Sequence, residues 1–219
     1  MRKIILPALL AVILAACTNE AYDSGDTPLS YLSAEWADVT TNSAGLVAQA
    51  TTDAGQQLIL SPPYCAEWIG QTPDTTCRAL LYHGQVSGGV TDAKAIQPVL
   101  MADVATRNPN TTYPQDPIVK ARAWRSANKK YLNMVLTLKV GRQQDAPAQQ
   151  RVGVLCDSVT TLADGTRCCW LTIVHDQNGV PAYYSQEACV SVLASRLSGA
   201  QVVRLRLRTY DGEKVLEIN

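Results

Sequence analysis

In the segment Tyr131–Val140, Leu132, Met134, Leu136, Leu138 and Val140 alternate with Asn133, Val135, Thr137 and Lys139, and near the C-terminus Val203, Leu205 and Leu207 alternate with Arg204, Arg206 and Arg208. A period of two places every second side chain on one face of an extended chain, so both segments are strands with one face turned to a core. The rest of the chain offers no sustained helical period. Val, Thr, Leu and Tyr fall in short runs punctuated by 11 Pro and 13 Gly. The expected fold class is all-β. With 47% hydrophobic and 17% charged residues, long disorder and collagen-like repetition are excluded.

The N-terminus carries the most specific motif. Arg2 and Lys3 precede an uncharged apolar run, Ile4 to Leu14, which is too short to span a bilayer comfortably and so reads as an export signal. It ends in Leu14-Ala15-Ala16-Cys17, the pattern of a bacterial lipobox. Residues 1–16 are therefore expected to be a lipoprotein signal peptide, cleaved to leave Cys17 as the lipidated first residue of the mature protein. Acyl chains contribute roughly 0.8 kcal/mol per buried CH₂, so the membrane is the first partner expected, through the lipid on Cys17. Thr18 rather than Asp follows the lipidated Cys, which by the general sorting rule favours the outer membrane; which side it faces is left open. Residues 17–28 are rich in Asp, Ser, Gly and Pro and form a tether.

Residues 29–106 hold five short candidate strands, which suits a five-stranded OB-like barrel. They are Tyr31 to Val39, Leu46 to Thr51, Gln56 to Leu60, Cys77 to Val86 and Ala93 to Thr106, and Pro62 and Pro63 are expected to end the third. Residues 107–117, with three prolines and no apolar period, are the expected linker. Residues 118–219 repeat the β texture more cleanly and read as an antiparallel sandwich, with Asp164-Gly165 as a two-residue hairpin turn. Ala188 to Leu197 stays open between strand and short helix.

Once Cys17 is lipidated, six cysteines remain: Cys65, Cys77, Cys156, Cys168, Cys169 and Cys189, an even number in an oxidising compartment. Cys65 and Cys77 flank one loop and are expected to pair, closing a ring worth about 3 kcal/mol. A two-residue turn at Asp164-Gly165 would set Cys156 opposite Ile173, out of reach of Cys168 and Cys169, and leave it to Cys189. Neighbours on a strand point to opposite faces, so at most one of Cys168 and Cys169 should face the core. Buried free thiols acting as small apolar residues are the alternative. No Cys-x-x-Cys pair is present, so no metal site is expected.

Chemistry-bearing motifs are sparse, and no catalytic residue and no cofactor is expected. The only histidines, His83 and His175, lie in apolar strand patterns, and no Gly-x-Ser-x-Gly elbow or phosphate-cradling loop exists. An enzyme would show a concave site containing one of the two. Charge is balanced at 19 basic and 19 acidic residues and turns slightly acidic when Arg2 and Lys3 leave, which argues against nucleic acid as a partner. Trp36 and Trp68 are candidate stacking surfaces for a glycan, or else barrel core. Arg204, Arg206 and Arg208 form the one basic stripe, readable as a surface for an acidic partner or as the solvated face of an edge strand.

Several of these residues together resemble one family. A lipobox, a Gly/Asp-rich tether running into SYLSAEWADV, a linker containing Asp116-Pro117-Ile118, a strand beginning Lys130-Tyr131-Leu132-Asn133-Met134 and a closing hairpin ending Tyr210-Asp211-Gly212-Glu213-Lys214 look like the NigD-like lipoproteins of Gram-negative gut and oral anaerobes. The resemblance implies an OB-like N-terminal domain, a C-terminal β-sandwich and an immunity or envelope-associated role, suggested by the bacteriocin operon that names the family. It supplies no established catalytic or binding residues. The expectation is therefore a non-enzymatic envelope binding or accessory protein, with a surface-assembly subunit or a glycan-binding lipoprotein as alternatives.

Overall fold

The computed structural model describes residues 32–141 and 149–219. The expected signal peptide, Cys17, the expected tether and Tyr31 lie outside the described residues. All regular structure beyond two 3₁₀ turns is β, and no helix among the described residues is long and apolar enough to cross a membrane.

The first half is a curled half-barrel. Its strands are β1 (Ser33–Thr41), β2 (Val47–Thr52), β3 (Gln57–Tyr64), β4 (Thr76–His83), β5 (Val90–Thr91) and β6 (Ala93–Pro98), in the order β5-β3-β2-β1-β4-β6. Five are full strands, and the sixth, β5, has only two residues, set parallel to β3. The sheet curls around Ala37, Val39, Val47, Leu58, Leu60 and Leu81. Pro62 and Pro63 do not end β3, contrary to the expectation. β5 pairs only Ile59 and Leu60, so at the prolines one edge of β3 is open and their missing N–H groups are not needed there.

The last barrel strand expected, Ala93 to Thr106, breaks into three. β7 (Leu100–Met101) and β8 (Val104–Thr106) leave the half-barrel and pair in parallel with strands of the second half. The crossing thus happens at Val99, ahead of residues 107–117.

The second half is a sandwich built from β9 (Lys120–Arg125), β10 (Tyr131–Val140), β11 (Arg151–Thr161), β12 (Arg167–Asp176), β13 (Tyr184–Leu193), β14 (Val202–Thr209) and β15 (Gly212–Ile218). One sheet runs β7-β13-β10-β9 and the other β15-β14-β12-β11-β8. The open segment Ala188 to Leu197 resolves into the end of β13 and a 3₁₀ turn, Ala194–Leu197. The core holds Leu132, Met134, Leu136, Val190, Leu171 and Leu205, the alternation read from the sequence. The sheets are mixed rather than purely antiparallel. β13 crosses to the other sheet between β12 and β14, so those two strands meet in parallel.

The β11–β12 hairpin corrects the expected register. Its loop has three residues, Ala163-Asp164-Gly165, closed by Leu162 N–H donating to Thr166 O at 2.8 Å, with Gly165 at φ 84°. A bulge at Asp157 adds a second offset, and Cys156 lies opposite Leu171 instead of Ile173.

Candidate functional site

The two halves meet on Arg78. It sits on β4 in the run CRALLYH, where every neighbour favours a buried strand, and its side chain points away from the half-barrel core into the second half. The residue is 5% exposed. Nη2 donates to both carboxylate oxygens of Asp53, at 2.7 and 2.8 Å, and to Asn133 Oδ1 at 3.2 Å. Nη1 donates to Asp38 Oδ1 at 3.4 Å and Nε to Ser191 Oγ at 3.4 Å. The guanidinium also stacks 4.0 Å above the Tyr131 ring. A buried charge is tolerated only with such pairing, because its desolvation must be offset by hydrogen bonds and an opposite charge.

The partners lock one another. Asn133 Nδ2 donates to Asp53 Oδ2 at 2.7 Å, Ser191 Oγ donates to Asn133 Oδ1 at 2.8 Å, and Tyr131 Oη donates to Asp38 at 2.9 Å. Lys130 Nζ donates to Asp38 Oδ2 at 2.6 Å, and that bond raises the lysine pKa. Burial raises the Tyr131 phenol. Asp53 sits in the β2–β3 turn, whose backbone carbonyl accepts Asn128 N–H from the β9–β10 turn at 2.9 Å. Turn thus meets turn and strand meets strand across the seam.

A cleft opens on either side of this seam. The smaller, about 370 Å³, lies against Glu35, Trp36, Asp53, Trp124 and Arg125. Trp36 and Trp124 meet there edge to face with centroids 5.4 Å apart. The larger, about 790 Å³, runs between Trp68, Gln97 and Pro98 on the half-barrel and Gln186, Glu187 and Cys189 on β13. Its apolar rim is exposed: Trp68 39%, Leu100 50% and Met101 41%. Trp68 is held in place by the 3₁₀ turn Glu67–Ile69, where Ile69 is the buried anchor and the indole Nε1–H donates to Ile96 O at 2.9 Å. A third hollow, about 450 Å³, lies between Leu138, Val180, Tyr184 and Gln186 at the far end of β13.

Of the residues singled out in the sequence, Trp68 and Trp36 each line a cleft at the seam. Trp36 belongs neither to the barrel core nor to its free face. The arginine stripe is corrected in two respects. β14 is not an edge, because β15 covers it, and two of its three arginines are paired. Arg204 Nε donates to Glu217 Oε2 at 2.9 Å, Arg206 lies 3.6 Å from Asp157, and Arg208 stands opposite Glu213. Arg204 and Arg206 also flank the Trp170 ring at 5.1 and 5.6 Å.

All six described cysteines are free thiols, so the pairs Cys65–Cys77 and Cys156–Cys189 are not formed. The bulge at Asp157 instead brings Cys156 Sγ to 3.8 Å from Cys169 Sγ, a reach the expected register denied. Cys168 and Cys169 are both buried, but of the two only Cys169 faces the sandwich core, as expected of neighbours on a strand; there burial first and then Cys156 push its thiol up to about 12. Burial likewise raises Cys77 and Cys189, which line the large cleft from opposite walls. His83 and His175 are buried; Nδ1 of each donates to a backbone carbonyl, Gly84 at 2.7 Å and Asp116 at 3.1 Å. Neither lines any of these three hollows. The Arg78 network escaped the sequence reading. Its only cue was a lone arginine in an apolar strand.

The fold of the two β units is similar to that of a NigD-like immunity protein from Bacteroides caccae, at a TM-score of 0.64 over 84% of this chain and 90% of that one, with 22% identity. The chain has the NigD-like fold. A candidate lipoprotein from Bacteroides fragilis shares it at TM-score 0.63, 13% identity, 86% of this chain and 97% of that one. So does a toxin-related protein from Parabacteroides distasonis, at 0.60, 15%, 85% and 91%. No family model and no curated protein sequence matches the chain. At these identities the NigD-like fold is what is shared; the seam and clefts are described from this chain's own residues.

Proposed function

We propose that this chain is a lipid-anchored accessory protein of the cell envelope, of the immunity or shielding type, which works by holding a partner polypeptide and not by chemistry. The observation that carries the reading is the larger cleft. It combines about 790 Å³ of concave space with the exposed apolar residues Trp68, Leu100 and Met101, and the Arg78 lock fixes its two walls relative to each other. Concave, partly apolar surfaces on rigid elements are where proteins hold ligands. The names of the fold neighbours, an immunity protein, a toxin-related protein and a candidate lipoprotein, support the same reading. The lipobox supplies the anchor on Cys17, and Thr18 favours the outer membrane. A non-catalytic role is supported by the burial of both histidines, neither of which lines either cleft.

Capture from solubilised outer membranes tests this, with lipidated protein as bait beside Cys17→Ala and Met101→Asp forms. A stoichiometric protein recovered by the first two and lost with Met101→Asp fits the proposal. Equal recovery by all three contradicts it. Glycan recognition is the second reading, favoured by one observation: the smaller cleft pairs Trp36 and Trp124 with Glu35 and Arg125, as a sugar site needs. Recovery of glycan alone, lost with Trp124→Ala, would select it.

A further inference from the structure

The larger cleft has a wall of backbone. On one side β13 pairs with β10 along its whole length, from Tyr184 to Leu193. On the other side β7 pairs with only Val190 and Ser191. Among the described residues, no strand pairs with Tyr184–Cys189 on that side. The chain turns away there because Pro98 and Val99 belong to the half-barrel, where Val99 N–H donates to Arg78 O at 3.2 Å.

Strand geometry says which groups are left facing the cleft. Ala102 N–H donates to Ser191 O at 2.9 Å, so the backbone of Ser191 points toward the β7 side. Successive residues alternate, so Cys189 and Glu187 turn their N–H and C=O the same way, into the cleft. Their side chains share the face of Ser191, whose Oγ meets Arg78. Opposite them stand Trp68, Gln97 and Pro98.

We infer that the β13 edge from Glu187 to Cys189 takes up one extended segment of a partner polypeptide, which continues the line of β7 as an added strand in the large cleft. This rests on the cleft being the partner site proposed above and names the kind of partner. A row of amide donors and acceptors at strand spacing is matched by another peptide backbone, as in other strand-addition complexes. A polysaccharide has no such repeat. The pairing already begun by β7 sets the sheet plane and the direction for the incoming segment. Because the edge is recessed between the two halves, a slender single segment fits where the folded edge of a second copy is blocked by the half-barrel wall. The lining charges are already paired, Arg78 with Asp53 and Glu187 with Arg122 at 3.6 Å, so the segment that fits is uncharged, with an apolar side chain every second position toward Trp68 and Met101.

A capped hexapeptide alternating Thr and Val is the probe. At millimolar concentration it should slow amide exchange at Glu187 and Cys189 at least fivefold, and the same peptide N-methylated on the edge facing β13 should not. Glu187→Pro is the matching variant. It removes an N–H that points into the cleft and not toward β10, so the internal ladder stays intact. The variant should unfold within a few degrees of wild type and lose the peptide effect, whereas Glu187→Gln should keep it. Unchanged exchange at both amides, or equal protection by the methylated peptide, overturns the inference. If an envelope partner is captured equally well by Glu187→Pro, strand addition falls while partner binding stands. If no partner is ever captured but the peptide protects the edge, the functional reading falls and the edge site stands.

Discussion

Arg78 Nη2 lies 2.7 and 2.8 Å from the two oxygens of Asp53, and the same carboxylate accepts the Asn133 amide from the other half at 2.7 Å. One partly buried carboxylate therefore serves both halves. Asp53→Ala leaves the guanidinium with Asp38 as its only carboxylate, 3.4 Å away, and leaves Asn133 Nδ2 without that acceptor. Removing one partner of a buried pair usually lowers stability by about 3 kcal/mol or more. Urea unfolding should show a loss of that order, and a loss under about 1 kcal/mol would mean the seam is not held by this pair.

The thiols offer a second test. At pH 8 a maleimide should label exposed Cys65 quickly and leave Cys168 and Cys169 untouched until the protein unfolds. The folded-state pKa of Cys169 is raised, from 9.0 to about 12. Below pH 9 both states keep the proton and stability does not change on its account. Between pH 9 and about 12 only the unfolded state ionises, so stability should fall by up to about 1.4 kcal/mol per pH unit. Cys169→Ala should flatten that alkaline slope in thermal melts taken from pH 8 to 11.

The basic stripe should matter little. Arg204 and Arg206 already face Glu217 and Asp157, and exposed pairs contribute about 0–1 kcal/mol each. Replacing Arg204, Arg206 and Arg208 together by Ala should leave the affinity for lipopolysaccharide vesicles within about twofold. A tenfold fall would return the stripe to the list of binding surfaces.

The anchor is tested apart from the folded body. Cys17→Ala should abolish incorporation of labelled palmitate and move the protein from the membrane pellet to the soluble fraction, because acyl burial at roughly 0.8 kcal/mol per CH₂ is lost.

The core was legible and the seam was not, for one physical reason. Leu132, Met134 and Leu136, or Val203, Leu205 and Leu207, announce a buried face through a period of two that local sequence carries unaided. Register in β11–β12 depends on a three-residue loop and a one-residue bulge at Asp157, each a shift of one position that apolar alternation does not record. β7 and β8 are two and three residues long and owe their pairing to neighbours far along the chain. Arg78 belongs to the same class. It looks misplaced in an apolar strand until Asp53, Asn133 and Ser191 are brought around it. Trp68 was picked out as a candidate surface, but that it shares a cleft with Cys189 and Met101 follows only from how the halves dock.

The most direct test of the central claim, that the cleft between the halves is where a partner is held, is photo-crosslinking in living cells. A photoreactive amino acid at Gln97, inside the cleft, is compared with the same group at Arg208 on the stripe. The account predicts one discrete cross-linked protein band from position 97 and none from position 208. Bands from position 208 with none from 97 would contradict it.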